Sequence, residues 1–378
     1  MTNWLLADIF VRLWFNRANA RKRGKPSHME QKFIKSFFIR TLILLGALLA
    51  AVVIFDPFYH YHKPLPGLKA VLTDKEYQCV GTLRNFDYNA LIVGSSVCEN
   101  YNNGWFDEGF HCRTIKAIRS YGATADLCYL LDIAYEEHDL DYIFYNIDPS
   151  SLSADTTPTY ESTGCPMYLY DKNPFNDYHY VLNKDVLMEK LPYMLAYSFI
   201  GHYDEGDSYN WAQWKYFGAD LATGLYGRLP VIKEMQPETA NEETLKANIA
   251  LLTKQVEAHP KTTFKFFFSP YSMLWWDNVY RTGERDAVIY NEKQAIKALL
   301  AYDNVEIYFY QDDKETITNL DNYMDMIHFS KDINRQIYEK LARGEGQLTL
   351  ENYEKRLDDM YALSEEIVKT EILRYYDN

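Results

Sequence analysis

The feature that most constrains this chain is the run FFIRTLILLGALLAAVVIF at residues 37–55, nineteen residues whose single charge, Arg40, lies near one end. A stretch that long and apolar covers the roughly 30 Å hydrocarbon core of a bilayer as one helix, and the Arg40 stem can carry its charge out to the headgroups. It predicts a transmembrane anchor at 37–55. Residues 1–40 hold nine Lys or Arg against Asp8 and Glu30, whereas the rest of the chain holds 30 basic and 51 acidic side chains. That asymmetry predicts a cytoplasmic basic tail at 1–36, with everything after Asp56 on the outer side. A cleaved signal peptide is the alternative, but the following FDPFYHYHKP is bulky and lacks a small-residue cleavage site. Within the tail, WLLADIFVRLWF reads either as an amphipathic helix on the inner leaflet or as sequence upstream of a true start at Met29.

The region beyond the anchor is too acidic to attract phosphate backbones, which argues against nucleic acid as a partner. The five cysteines show no C-x-x-C spacing, so no zinc site is expected. An extracellular location permits a bridge, with Cys79 and Cys112 the first pair to test. No metal or organic cofactor is indicated.

From residue 88, short apolar runs alternate with helical periodicity. Strands are predicted at Tyr88–Val93, Thr114–Ile118, Tyr142–Ile147, Phe264–Phe268 and Val305–Tyr310, and helices at Ala123–Tyr135, Glu242–Ala258, Asn291–Ala301 and Asp332–Ala342. The pattern predicts an α/β fold, a three-layer α/β/α sandwich around a mostly parallel five-stranded sheet. The expected organisation is a juxtamembrane segment 56–87, a domain 88–345 with an aromatic-rich insertion 149–238, and a C-terminal helix 346–378. Aromatic rings in the insertion, among them Trp211, Trp214 and Phe217, serve either as a stacking platform for sugars or as core.

Two short segments carry candidate chemistry. Ser96, in LIVGSSVCENY, directly follows the first strand, at the carboxyl edge where open α/β sheets bind ligands. A helix N-cap is the alternative role for such a serine. A serine nucleophile needs a histidine base and a carboxylate to orient it, and YMDMIHFS supplies both as Asp325 and His328. The pair follows the last predicted strand, on the same sheet edge. The alternative is a surface pair.

The order Ser, Asp, His, together with FDPFYHYHKP, IVGSSVCENY and YMDMIHFS, resembles the SGNH (GDSL-like) hydrolase superfamily. The closer likeness is to its membrane-anchored branch, which includes the D-alanine transfer protein of teichoic acid modification and exopolysaccharide O-acetyltransferases. The resemblance spans residues 50–345. It implies Ser96 as nucleophile, His328 as general base and Asp325 as its orienter. It also implies an oxyanion hole from the Ser96 and Gly122 amides and an asparagine of a third block. That block, Gly-x-Asn-Asp, is absent. The chain reads YNIDPSS there, leaving Asn146 or Asp148, and an ionised Asp148 would repel an oxyanion. The resemblance further implies an extracytoplasmic acetyl or D-alanyl transferase in a bacterial cell membrane, acting on a cell-surface glycan or teichoic acid. A multipass membrane acyltransferase would be its partner. An anchored carbohydrate esterase with the same triad, and an inactive scaffold that binds polymer, are the alternatives.

Overall fold

A computed structural model describes residues 28–376. The segment WLLADIFVRLWF therefore lies outside the described residues, as does most of the basic tail. Contacts divide the chain into two units, Met1–Ile54 and Phe55–Asn378. In the first, one helix runs over His28–Phe55, 28 residues or about 42 Å at 1.5 Å per residue. It is long and apolar enough to cross a membrane. It begins nine residues before the apolar run because HMEQKFIKS contains no helix breaker.

The second unit is an α/β fold built on a six-stranded sheet of order β2-β1-β3-β4-β5-β6. The strands are β1 Ala90–Gly94, β2 Thr114–Ile118, β3 Tyr142–Asn146, β4 Thr263–Phe268, β5 Val305–Phe309 and β6 Gln347–Leu348. The first five are parallel, with β1 flanked by β2 (Gly94 opposite Ile118) and β3 (Val93 opposite Tyr145). β1 and β2 are buried throughout; β1 accordingly reads as an unbroken apolar run, whereas β2 carries Lys116, whose buried Nζ donates to the carbonyls of Glu99 and Ser208. The expected count of five strands is corrected by β6, which pairs antiparallel with Ile307 and Tyr308. Two residues are too few to show a period.

The strand order determines where the helices lie. The chain goes one way from β1 to β2 and then back across β1 to β3, β4 and β5. Right-handed crossovers therefore place Asn103–Phe110 on one face and Thr124–Glu137, Glu242–Ala258 and Arg285–Leu299 on the other. Lys331–Ala342 packs with Asn103–Phe110, completing three layers. Because the direction reverses at β1 and β3, a crevice opens between their carboxyl ends, the position where doubly wound sheets place ligands.

The compact unit also takes in 56–87 and 346–378. Helix Lys75–Asn85 packs on β2 with Cys79 and Leu83 fully buried. Helix Tyr353–Glu366 covers Arg285–Leu299. The insertion contains short helices and no strand among its residues. Its aromatic residues divide between core (Tyr160, Tyr170, Tyr180) and surface (Trp214, Tyr216). All five cysteines are free, so the Cys79–Cys112 bridge is not made. The Cys79 thiol instead reaches the Lys116 carbonyl, and that of Cys112 reaches the Thr114 hydroxyl at 3.2 Å.

Candidate active site

Ser96 opens a short 3-10 turn, Ser96–Cys98, directly after β1. The turn is tight because Gly94 has no side chain. A Cβ there would lie 2.5 Å from Cys98 Sγ and 3.2 Å from Asn146 Cβ. Gly94→Ala is therefore expected to destabilise the fold by about 1–3 kcal/mol through overpacking. Chemical denaturation followed by circular dichroism would measure it.

Three side chains from distant parts of the chain hold this turn by its carbonyls. Trp211 Nε1 donates to Ser96 O at 3.2 Å, Asn334 Nδ2 to Val97 O at 3.0 Å, and Lys116 Nζ to Glu99 O at 2.7 Å. Within LIVGSSVCEN, Ser96 is the only residue that is not buried.

The structure brings Asp325 and His328 to this serine. Ser96 Oγ lies 2.7 Å from His328 Nε2, and His328 Nδ1 lies 2.7 Å from Asp325 Oδ2. The other carboxylate oxygen, Oδ1, accepts the backbone N–H groups of Ile327 and His328 at 2.9 and 2.8 Å. Burial raises the Asp325 pKa, but the bonds from the His328 ring and from these amides outweigh it and hold the carboxyl below 3.8. An ionised carboxylate only accepts hydrogen bonds. The ring proton therefore sits on Nδ1, and Nε2 is left to accept from Ser96. An antiparallel bridge from Tyr323 to Phe329 and a bond from Met324 N–H to His328 O close the loop.

Gly122 and Asn146 stand differently toward the nucleophile. Gly122 donates its N–H to Arg119 O at 3.0 Å, closing its own turn, so in this geometry that amide is committed away from an oxyanion. Asn146, at the end of β3, does reach the nucleophile turn beside Gly94. Its carbonyl accepts from Ser269 Oγ at 2.5 Å, and one amide N–H goes to Asp148 Oδ1 at 2.7 Å. A primary amide has a second N–H, and the Asn146 side chain also hydrogen-bonds Tyr271. Asp148 also accepts from the Tyr271 hydroxyl and from Ser95. Burial raises its pKa against the pull of these bonds.

Several residues that shape the site were not assigned to it from the sequence. Trp211 packs edge-on against His328, with ring centroids 5.3 Å apart at 86°, and its backbone is held by Asn100 Oδ1. The segment after β4 braces both halves of the site. Ser269 and Tyr271 hold Asn146 and Asp148, while Ser272 Oγ donates to Met326 O at 2.8 Å and Tyr323 Oη to Pro270 O at 2.6 Å. The four residues SPYS are too few to mark such a role. Trp211→Phe keeps a ring beside His328 and removes one donor. It is expected to slow covalent labelling of Ser96 by about fivefold, the equivalent of a ~1 kcal/mol hydrogen bond. Stopped-time labelling with a fluorophosphonate checks it.

No family model matches the chain, and no curated protein sequence does. Among solved structures, it is similar to a provisionally described platelet activating factor from Streptococcus pneumonia. The TM-score is 0.36 and the identity 13%, over 80% of this chain and 98% of that one.

Proposed function

We propose that this chain is a membrane-anchored serine enzyme of SGNH type that transfers an acetyl or D-alanyl group to a cell-surface polysaccharide or teichoic acid. The observation that carries the reading is the relay from Asp325 through His328 to Ser96, set in the crevice between the carboxyl ends of β1 and β3. His328 Nε2 takes the hydroxyl proton as Ser96 Oγ bonds to the acyl carbonyl carbon. The ester C–O bond of the donor breaks, His328 returns the proton to the leaving oxygen, and the acyl group remains on Ser96. An acceptor hydroxyl then attacks the acyl carbon and gives its proton to His328, the bond from Ser96 Oγ to the acyl carbon breaks, His328 returns the proton to Ser96 Oγ, and the acylated acceptor leaves.

Negative charge on the carbonyl oxygen needs donors already in place. Ser96 is the first residue of its turn, so its N–H is one of those a helix start leaves without an internal acceptor. The Asn146 amide, beside Gly94 and shared with Asp148 and Tyr271, is the other candidate. The ring of Trp211 forms an apolar wall beside the base, which favours a hydroxyl delivered by bound polymer over bulk water. The helix His28–Phe55 supports single-pass tethering near such a polymer, and the basic tail supports a cytoplasmic N-terminus. A multipass acyltransferase would supply the acyl group from across the membrane.

The full-length protein, purified in detergent and treated with a fluorophosphonate, tests the reading. An adduct at Ser96 in folded protein is expected. Its absence would leave an inactive scaffold. Equal release of acyl group with and without a polysaccharide acceptor would instead identify an anchored esterase.

A further inference from the structure

The segment FDPFYHYHK that follows the apolar helix forms a knot with the insertion. Asp56, adjacent to the last helical residue Phe55, accepts the N–H groups of His60, Tyr61 and His62 and the Tyr180 hydroxyl, the last at 2.8 Å. Asp177 takes His60 Nε2 at 3.2 Å and the Tyr61 hydroxyl at 3.1 Å. A few residues on, the Tyr59 hydroxyl meets Met194 Sδ at 3.9 Å, and Lys69 N–H donates to Ser198 Oγ at 2.9 Å. The helix Leu191–Phe199 and the wider turn before it, Val186–Lys190, are thus bound to the first chain beyond residue 55.

These helical turns are apolar on both sides. Val186, Leu191 and Met194 are buried, which accounts for one side. The exposed side is also apolar. Met188 is 80% exposed, Tyr193 47%, Phe199 72% and Ile200 85%, and Phe175 (88%) and Leu182 (52%) lie in the turns just before it. The two charges within 186–200, Glu189 and Lys190, are paired with each other at 3.0 Å, and Lys190 also meets Asp74. A helix that is hydrophobic all round belongs in a core or against lipid, and an otherwise acidic domain has no reason to show such a face to water.

We infer that this face rests in the headgroup and acyl boundary of the leaflet from which residue 55 emerges. The inference relies on His28–Phe55 spanning the bilayer. The covalent chain then sets the location, because Tyr59 is four residues beyond Phe55 and so within about 14 Å of it. Met194 contacts Tyr59, and the exposed side is on the same short helix. An uncharged mixture of Met, Tyr, Phe and Ile is the composition of an interfacial surface, and the domain's net acidity excludes attraction to anionic headgroups as the means of docking.

Full-length protein in phosphatidylcholine vesicles, treated with a lipid-partitioned photoactivatable carbene reagent and mapped by mass spectrometry, tests this. Label at 186–200 is expected at roughly the level found in 37–55 and about tenfold above that at Leu350, a water-exposed residue of the same domain. Label in 37–55 with none in 186–200 overturns the inference and leaves the anchor standing. Absence from both overturns both. A crosslink between Phe199 positions of two chains, with 186–200 unlabelled, assigns the face to a second copy and likewise overturns it.

Discussion

Ser96→Ala is expected to lower acyl transfer by roughly six orders of magnitude and to abolish the fluorophosphonate adduct. Thermal unfolding should move by less than the equivalent of about 1 kcal/mol. The asymmetry follows from how the turn is built. Ser96 Oγ bonds only to His328, whereas the turn is held through carbonyl oxygens by Trp211, Asn334 and Lys116. Removing the hydroxyl deletes the nucleophile and leaves those three braces in place. A full-length Ser96→Ala protein that still modifies polymer at the wild-type rate would reject the covalent mechanism. It would point to a scaffold whose chemistry is performed by a partner.

Asp325→Asn is expected to cost about 10⁴ in turnover, with the fold retained, because it reverses the histidine tautomer. In the native loop Oδ1 accepts two backbone N–H groups and Oδ2 accepts the ring N–H. An asparagine keeps its oxygen on the two amides and so turns its NH₂ toward Nδ1. The ring then carries its proton on Nε2, and the acceptor for Ser96 is lost. The same carboxylate gives a pH signature. Its folded-state pKa is depressed below 3.8, so its contribution to stability is present above 3.8 and is lost as pH falls through the lower folded value. The Asp325→Asn protein should lack that segment of the acid-unfolding curve. Acid titrations of both proteins by circular dichroism would show coincident curves if the pair contributes nothing.

The sheet was legible because its first five strands are largely buried and appear as mostly apolar runs such as ALIVG and TFKFFF, the latter interrupted only by Thr263 and Lys265. Thr114–Ile118 and Glu242–Ala258 agree with the sequence reading to the residue. The two-residue β6 was not legible, nor was the inclusion of 56–87 and 346–378 in the domain, since their packing partners lie far away in sequence. Asp325 and His328 were legible because three residues suffice to bring them together. Trp211 was not, because nothing local distinguishes it from the surface-exposed Trp214 three residues later. Gly122 shows the opposite failure. The residue type suits an oxyanion donor, but its amide direction is set by the turn with Arg119, which no spacing in the sequence reveals.

The carbonyl braces on the serine turn also bear on when the site can exist. His328 follows Ser96 by 232 residues, and Asn334 follows Val97 by 237. A ribosome delivers the chain from its N-terminus, so the serine strand appears long before its base or the asparagine that secures the next peptide. Through most of its own synthesis the chain holds a serine hydroxyl without its base, on a turn that Lys116 and later Trp211 can brace but Asn334 cannot yet reach. The relay closes only when residues 325–334 arrive, and a polypeptide truncated before them carries the whole nucleophile motif without the means to activate it.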